Sequence, residues 1–182
     1  MSKKSIIYVT TDGAIFNGGN RNGSGRAVGG IGVVFSTDPD DFHSIFDRMA
    51  HPYAGPTHGN MEEIVTNNRM ELSAVCCSLE YLIDNFEDLR KWRIILRSDS
   101  QYVIKSINEY LERWKDNGWK NSSKQAVKNK DLWERFVKIR DRFIKEMIEV
   151  IFVHLKGHNG HAIQEESDRL ATKSVKDNMH LK

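Results

Sequence analysis

The chain has 182 residues, of which 39% are hydrophobic and 29% are charged, and its formal net charge is +2. This composition is typical of one globular domain with a sizeable core, here residues 1–182, and it excludes a disordered chain. No apolar run approaches the roughly 20 residues that cross a bilayer, and residues 1–5 lack a signal-peptide pattern. We therefore expect a cytoplasmic protein without membrane contact, with a monomer as the default.

Three strands are predicted in the first third of the chain, where β-branched and aromatic residues are interrupted by turns. They cover 5–11, 30–36 and 42–49. The first strand ends at Asp12, and the Gly- and Asn-rich stretch 17–30 is a loop without the lysine of a phosphate-binding P-loop. Residues 51–65 look irregular, and His51 and His58 within them lack the further ligands that a metal site needs.

The remainder of the chain alternates helices with two more strands. Apolar residues at helical spacing predict helices over 70–86, 100–107, 110–117, 131–146 and 165–175. Strands are predicted over 93–97 and 149–155, and a glycine-bracketed loop over 156–161. The adjacent Cys76 and Cys77 lie in the first helix, and we expect buried free thiols in a reducing compartment. The order β-β-β-α-β-α-α-α-β-α predicts an α/β fold with a mixed five-stranded sheet flanked by helices.

Four carboxylates stand near the ends of these elements. Asp12 and Asp99 follow the first and fourth strands, and Glu71 and Asp168 lie in the first turns of predicted helices. Each has a structural interpretation as a cap, a turn residue or a partner of the helix dipole. If the first and fourth strands are parallel neighbours, however, Asp12 and Asp99 emerge at one edge of the sheet. A cluster of oxygen ligands there would favour Mg²⁺ or Mn²⁺ over zinc.

Positive charge is concentrated between residues 113 and 130. Six basic residues and one acid give this basic segment a net charge of +5, so the rest of the chain sums to −3. Trp114 and Trp119 lie within it. Lysines alone could form a solvated helix face, but tryptophans among them favour a polyanion whose sugars or bases pack on aromatic rings. Carboxylates, metal and this segment together suggest cleavage of a nucleic-acid backbone.

The sequence resembles ribonuclease H type 1 from residue 7 to about residue 175. The blocks that carry the resemblance are Thr11-Asp12-Gly13, 66–72, 98–103, 114–120, 127–133 and 156–168, in the family's order and spacing. The resemblance implies an endoribonuclease of the ribonuclease H fold that hydrolyses the RNA strand of RNA–DNA hybrids and leaves 3′-hydroxyl and 5′-phosphate ends. It also implies two Mg²⁺ ions, with Mn²⁺ as the alternative, bound by Asp12, Glu71, Asp99 and Asp168. His158 matches a loop histidine that assists proton transfer or product release; with His161 it could suggest a zinc pair, but no third ligand is near.

Substrate contacts are implied in the same way, at Thr66, Asn67, Asn68, Gln101, Tyr110, Trp114, Lys115, Trp119, Lys120, Lys124 and Lys128. Thr66 matches a residue that binds a DNA phosphate. Asn67 and Gln101 match amides that reach base edges in the minor groove. Tyr110, in place of a more usual Trp, and Trp114 match aromatic residues that pack on DNA sugars.

The sequence departs from the family pattern at a few positions. Gly18 stands where the family has an Asn, for which Asn17 or Asn20 could substitute, and Gln164 stands where an Asn is common. The alternatives are a non-catalytic hybrid-binding protein, a DNA-directed nuclease or integrase of the same fold, and a domain released from a reverse transcriptase. Four mutually repelling carboxylates argue against a non-catalytic binding protein. The amides and the basic segment argue against a DNA-directed nuclease or integrase. The Met1 start and the complete basic segment argue against a domain released from a reverse transcriptase.

Overall fold

The computed structural model describes residues 4–17, 26–56, 64–156 and 161–179. Five strands form one sheet in the order β3-β2-β1-β4-β5. They are β1 (Ser5–Asn17), β2 (Arg26–Ser36), β3 (Ile45–Pro56), β4 (Trp92–Ser98) and β5 (Glu149–His154). The first three strands pair antiparallel, and β4 pairs parallel with both β1 and β5. The predicted mixed five-stranded sheet is confirmed.

Helices lie on both faces of the sheet. They are α1 (Asn67–Asn85), α2 (Gln101–Lys105), α3 (Leu111–Asp116), α4 (Lys130–Lys145) and α5 (Ala162–Met179). A π-helical turn, Ser106–Tyr110, joins α2 to α3. Helices α1 and α4 cover the face that buries Ile7, Ile94 and Leu96, while α5 packs on β1, β2 and β3 from the other side. The largest fully buried side chain is Trp133 of α4.

Several predicted boundaries were wrong, and each has a local cause. Strand β1 does not end at Asp12, because residues 12–16 remain paired with β2. Residues 42–44 form a short 3₁₀ turn instead of a strand, because the side chain of Asp41 caps it. The predicted irregular stretch 51–65 is strand as far as residue 56; Pro52 is tolerated there because β3 is an edge strand.

Both helices that carry a predicted catalytic carboxylate begin three residues earlier than predicted. The side chain of Thr66 accepts from the main-chain N–H of Arg69, so α1 begins at Asn67 and Glu71 lies in its second turn. Helix α5 begins at Ala162, which puts Asp168 in its second turn as well. The apolar periodicity did not reveal the first turn of α1, because Asn67 and Asn68 are polar and exposed. The first turn of α5 contains buried Ile163 and Gln164, which the prediction left outside the helix.

The two cysteines are free, as predicted, with Cys76 buried and Cys77 half-buried. Within the described residues, no helix is both long enough and apolar enough to span a membrane.

Candidate active site

The last pair of the parallel β1–β4 ladder is Thr11 with Ser98. Asp12 directly follows Thr11 and Asp99 directly follows Ser98, so both carboxylates leave the sheet at the same point. Ser100, not Asp99, caps the helix that follows, because its side chain accepts from the main-chain N–H of Val103 at 3.3 Å. The cap interpretation of Asp99 was therefore wrong, and its carboxylate faces Asp12 instead.

Glu71 reaches the same point because α1 packs directly against Gly13. A Cβ on Gly13 would lie 2.5 Å from the main-chain nitrogen of Glu71 and 2.7 Å from the carbonyl carbon of Met70. Glycine is therefore required at this position for close approach, a role that the sequence pattern had suggested only as a turn. The main-chain N–H of Gly13 also donates to Oδ1 of Asp12 at 2.8 Å.

The three acidic side chains form one compact group. Asp12, Glu71 and Asp99 each offer a carboxylate oxygen, and these oxygens lie within 4.8 Å of one another. Asp12 and Glu71 are buried, with 7% and 4% of their surface exposed, whereas Asp99 is half-buried. The group therefore has one open side, at Asp99.

Burial and mutual repulsion disfavour ionisation of this group. Desolvation, followed by the negative charge of Asp99, raises the pKa of Asp12 to about 7. Desolvation and the charges of Asp12 and Asp99 raise the pKa of Glu71 well above its usual value. Without a counter-charge, both shifts favour the protonated forms of the buried pair.

The residues present fit a hard divalent cation. Oε2 of Glu71 is buried without a hydrogen-bond partner, and it lies beside two other carboxylates. An acceptor left unpaired in this way costs free energy unless a cation or proton occupies the space. An all-oxygen donor set suits Mg²⁺ or Mn²⁺ better than zinc.

Asp168 lies outside this group of three. It is exposed on α5, and its negative charge adds to the rise in the pKa of Asp12. Helix α5 approaches the sheet closely because β2 carries glycine: a Cβ on Gly32, the partner of Asp12 in the ladder, would lie 2.0 Å from the carbonyl oxygen of Ser167. The structure thus brings Asp168 near the group without placing it among the three.

One histidine, His154, lies on the edge strand β5 beside this site. His158 lies outside the described residues, as do Gly18 and Asn20. His154, which the sequence analysis did not single out, places Nε2 3.1 Å from the main-chain oxygen of Asp99, to which an N–H on that nitrogen would donate. Only the strand register could have revealed it, because His154 pairs with Ser98. His161 lies 3.5 Å from a carboxylate oxygen of Asp40 and contributes nothing to the acidic group.

The residues implied in substrate binding include exposed polar side chains at the starts of two helices and a pair of aromatic rings. Thr66, Asn67 and Asn68 are exposed at the start of α1, and Gln101 is exposed at the start of α2. The Tyr110 and Trp114 rings lie 5.9 Å apart, and both are half-buried. The Trp114 ring also meets buried Trp133 at 5.7 Å, so this platform rests on the core.

The basic segment is a short irregular excursion between α3 and α4. A single antiparallel bridge joins Lys120 to Ala126, and the Lys120, Lys124 and Lys128 side chains are exposed. Lys115 is half-buried and lies 3.4 Å from a carboxylate oxygen of Glu112. Trp119 is half-buried against the core, with a left-handed backbone.

The chain is similar to known proteins in sequence and in fold. The sequence profile of the RNase H family matches residues 3–176. Ribonuclease H of Francisella tularensis subsp. novicida (strain U112) is 34% identical over 173 residues, which are 95% of this chain and 93% of that protein. Ribonuclease H of Syntrophotalea carbinolica is 41% identical over 112 residues, which are 62% of this chain and 66% of that protein.

Solved structures share the fold. The PFV RNase H domain has a TM-score of 0.68 at 21% identity and covers 97% of each chain. LC11-RNase H1 in complex with an RNA/DNA hybrid has a TM-score of 0.56 at 21% identity, covering 95% of this chain and 99% of that one.

Proposed function

Because this chain belongs to the ribonuclease H family, we propose that it hydrolyses the RNA strand of RNA–DNA hybrids at the site of Asp12, Glu71 and Asp99. The observation that carries the proposal is the convergence of these three carboxylates at the end of the β1–β4 ladder, with one side open beside the exposed amides of α1 and α2. The bond broken is that between phosphorus and the 3′ oxygen, which leaves a 3′-hydroxyl and a 5′-phosphate.

We propose that two Mg²⁺ ions, or Mn²⁺ in their place, are held by the three clustered carboxylates together with Asp168. When bound, such ions supply a water of lowered pKa and stabilise the charge on the leaving oxygen. Because Asp12 and Glu71 are buried, water would compete less for their carboxylate oxygens. Asp99 is half-buried, so a phosphodiester would approach from its side of the group. Asp168 is more exposed and lies on α5, on the other face of the sheet, and its negative charge acts on Asp12 from there.

His158 is proposed to assist proton transfer or product release, following the resemblance of its loop to the family's. The described segments on either side of this loop each carry a residue that interacts with the carboxylate group. His154 on one side meets Asp99, and α5, on the other, carries Asp168.

The hybrid is proposed to lie across α1, α2 and the basic segment. Asn67 and Gln101 would reach base edges, Asn68 the RNA strand, and Thr66 a DNA phosphate at the start of α1, where the helix dipole favours an anion. Tyr110 and Trp114 would pack on DNA sugars. Further phosphates of the hybrid would meet Lys115, Lys120, Lys124 and Lys128, with Trp119 fixed beneath them. Contacts to 2′-hydroxyls on one strand only would distinguish hybrid from duplex RNA or DNA.

We infer that residues 1–182 act as one ribonuclease H domain, because the family profile spans nearly all of them. A monomeric enzyme working in the cytoplasm is the accompanying proposal.

The test is cleavage of one end-labelled sequence presented as RNA–DNA hybrid, duplex RNA, single-stranded RNA and duplex DNA, each with Mg²⁺, with Mn²⁺ and with EDTA. The proposal expects metal-dependent cutting confined to the RNA of the hybrid. Cutting of duplex DNA would instead support a DNA-directed nuclease. Binding of the hybrid without any cutting would support a non-catalytic hybrid-binding protein.

A further inference from the structure

The hydroxyl of Tyr102 joins α2 to the end of the basic segment. It donates to the main-chain oxygen of Lys128 at 3.2 Å and accepts from the Asn129 side-chain amide at 3.3 Å and from the Trp133 indole N–H at 3.0 Å. A phenol has one proton to donate and two lone pairs to accept with, so all three positions are used.

Both ends of this connection are significant for the proposed function. Tyr102 is adjacent to Gln101 and three residues beyond Asp99, on the short helix that leaves the carboxylate site. Its partners Lys128 and Asn129 are the residues at which the basic segment turns into α4. Asn129 adopts a left-handed backbone with φ of 56° and is 7% exposed. A non-glycine residue in that conformation needs support from its surroundings, and the Tyr102 hydroxyl gives its side chain a partner.

The ring of Tyr102 continues the connection toward the aromatic platform. Its centroid lies 5.8 Å from that of Trp133, which lies 5.7 Å from that of Trp114, which in turn lies 5.9 Å from that of Tyr110. The Tyr102 side chain is thus linked both to the end of the basic segment and, through Trp133, to the Tyr110–Trp114 platform.

A second contact spans the same gap independently. The Arg69 guanidinium meets both carboxylate oxygens of Asp131, with Nη1 2.9 Å from Oδ1. This ion pair ties the first turn of α1, which carries Asn67 and Asn68, to the first turn of α4. It fixes α4 from the α1 side, whereas the Tyr102 hydroxyl bonds to Lys128 and Asn129 at the end of the basic segment.

From this arrangement we infer that Tyr102 is a positioning residue for the substrate: its hydroxyl holds the phosphate-binding segment at a set distance from the carboxylate site, and so determines hybrid affinity and where the RNA is cut. The inference rests on the proposed function. In this role Tyr102 contacts neither the hybrid nor a metal ion. It acts on the substrate through the basic segment, which contains Lys120, Lys124 and Lys128.

The test is Tyr102→Phe, which removes one oxygen and leaves the ring against Trp133. We expect the KM for a short hybrid, and the Kd measured in EDTA, to rise about fivefold, the equivalent of one net hydrogen bond, with kcat within about twofold of wild type. We also expect a wider spread of cleavage positions on an end-labelled hybrid, because the segment is no longer fixed relative to the carboxylates. Ser78→Ala is the matched control: it removes a buried hydroxyl that bonds within α1, and it should change none of these values.

A double-mutant cycle separates positioning from general loosening of the fold. In a variant that carries Lys120→Ala, Lys124→Ala and Lys128→Ala, the segment has lost three of its four proposed phosphate contacts, so adding Tyr102→Phe should change the Kd by less than about 1.5-fold. A full fivefold additional loss in that background, an unchanged Kd and cleavage pattern for Tyr102→Phe alone, or a fall in kcat at constant KM would each overturn the inference.

Failure of the proposed function would look different, because it concerns the wild-type chain. A wild-type protein that binds hybrid but does not cut it refutes the nuclease, while the Kd comparison in EDTA still decides the role of Tyr102. A wild-type protein that neither binds nor cuts hybrid refutes both.

Discussion

A Cβ on Gly13 would lie 2.5 Å from the main-chain nitrogen of Glu71. Helix α1 can therefore bring its carboxylate beside Asp12 only because residue 13 has no side chain. The catalytic group thus depends on a backbone-to-backbone contact between a strand and a helix that are far apart in sequence.

Gly13→Ala should separate Glu71 from Asp12 and Asp99. We expect a loss of about 1–3 kcal/mol in the free energy of unfolding, as for other overpacked sites, and at least a tenfold weaker binding of Mg²⁺ or Mn²⁺ by calorimetry. Gly118→Ala is the control, because a Cβ on Gly118 would meet no other atom and the substitution would strain only the backbone, at a φ of 71°. It should cost about 1 kcal/mol without altering metal affinity, and equal metal affinity in the two variants would contradict this account.

Asp12→Asn and Asp99→Asn should each lower turnover by more than about 10³-fold, because each removes one anionic oxygen from the group of three. Hybrid binding in EDTA should remain within about threefold of wild type, since neither change removes a positive charge. Steady-state cleavage and fluorescence anisotropy measure the two quantities. Asp84→Asn, at the exposed C-terminal end of α1, should leave both unchanged; substantial Mg²⁺-dependent cleavage by either site variant would refute its assignment as a ligand.

The stability of the metal-free protein should fall as pH rises. The pKa of Asp12 is raised in the folded state to about 7 from a usual value of 3.8, so the folded state holds a proton that the unfolded state has released. The stabilisation that this proton gives to the folded state is complete below the pKa of Asp12 in the unfolded state. It is lost as pH rises through the pKa of Asp12 in the folded state. Between pH 5 and 7.5 in EDTA, urea unfolding should show a loss of roughly 2 kcal/mol or more.

Two comparisons test the origin of that slope. Asp12→Asn has no carboxyl group to titrate, so its stability should change much less with pH over the same range. Saturating Mg²⁺ should also flatten the wild-type slope, because the cation replaces the proton as the counter-charge. A wild-type stability that rises with pH in EDTA would show that Asp12 and Glu71 are ionised in the folded state.

Replacing Lys115, Lys120, Lys124 and Lys128 by Ala should weaken hybrid binding and reduce its dependence on salt. Each phosphate contact contributes about 0.9 to the slope of log K against log salt. Lys115 is already near Glu112, so we expect the slope to decrease by about two to three rather than four. The control is a variant with the same loss of charge that replaces four exposed lysines of α4 and α5 by Ala, namely Lys138, Lys145, Lys173 and Lys176. It should keep the wild-type slope. An unchanged slope in the basic-segment variant would exclude that segment as a phosphate-binding element.

His154→Ala should weaken divalent-cation binding about three- to fivefold, because the Asp99 main chain loses the hydrogen bond that Nε2 makes to its carbonyl oxygen. His154→Gln retains an N–H donor and should recover part of the affinity. His161→Ala, whose partner is Asp40, is the control. Titration of Mn²⁺ followed by calorimetry decides the matter, and identical affinities for His154→Ala and wild type would show that this hydrogen bond does not position Asp99.

Local sequence determined the order of the elements and the location of two carboxylates. The apolar runs before Asp12 and Asp99 mark strands, and a helical connection between them favours a parallel pair, so both carboxylates were expected at one edge of the sheet. The structure confirms that expectation through the pairing of Thr11 with Ser98. The charge and aromatic content of the basic segment were also visible without a fold, because both are properties of composition over a short window.

Tertiary structure decided everything that depends on two distant segments meeting. Glu71 joins the group only because α1 contacts Gly13, and Asp168 stays outside it because α5 rests on the other face of the sheet at Gly32. The meeting of His154 with Asp99 follows from strand register, and the three bonds of Tyr102 follow from where α4 begins. Periodicity and propensity report each residue's own neighbours in sequence, whereas these contacts are set by packing between elements, and the pKa of a carboxyl group is set by the burial and charges that such packing creates.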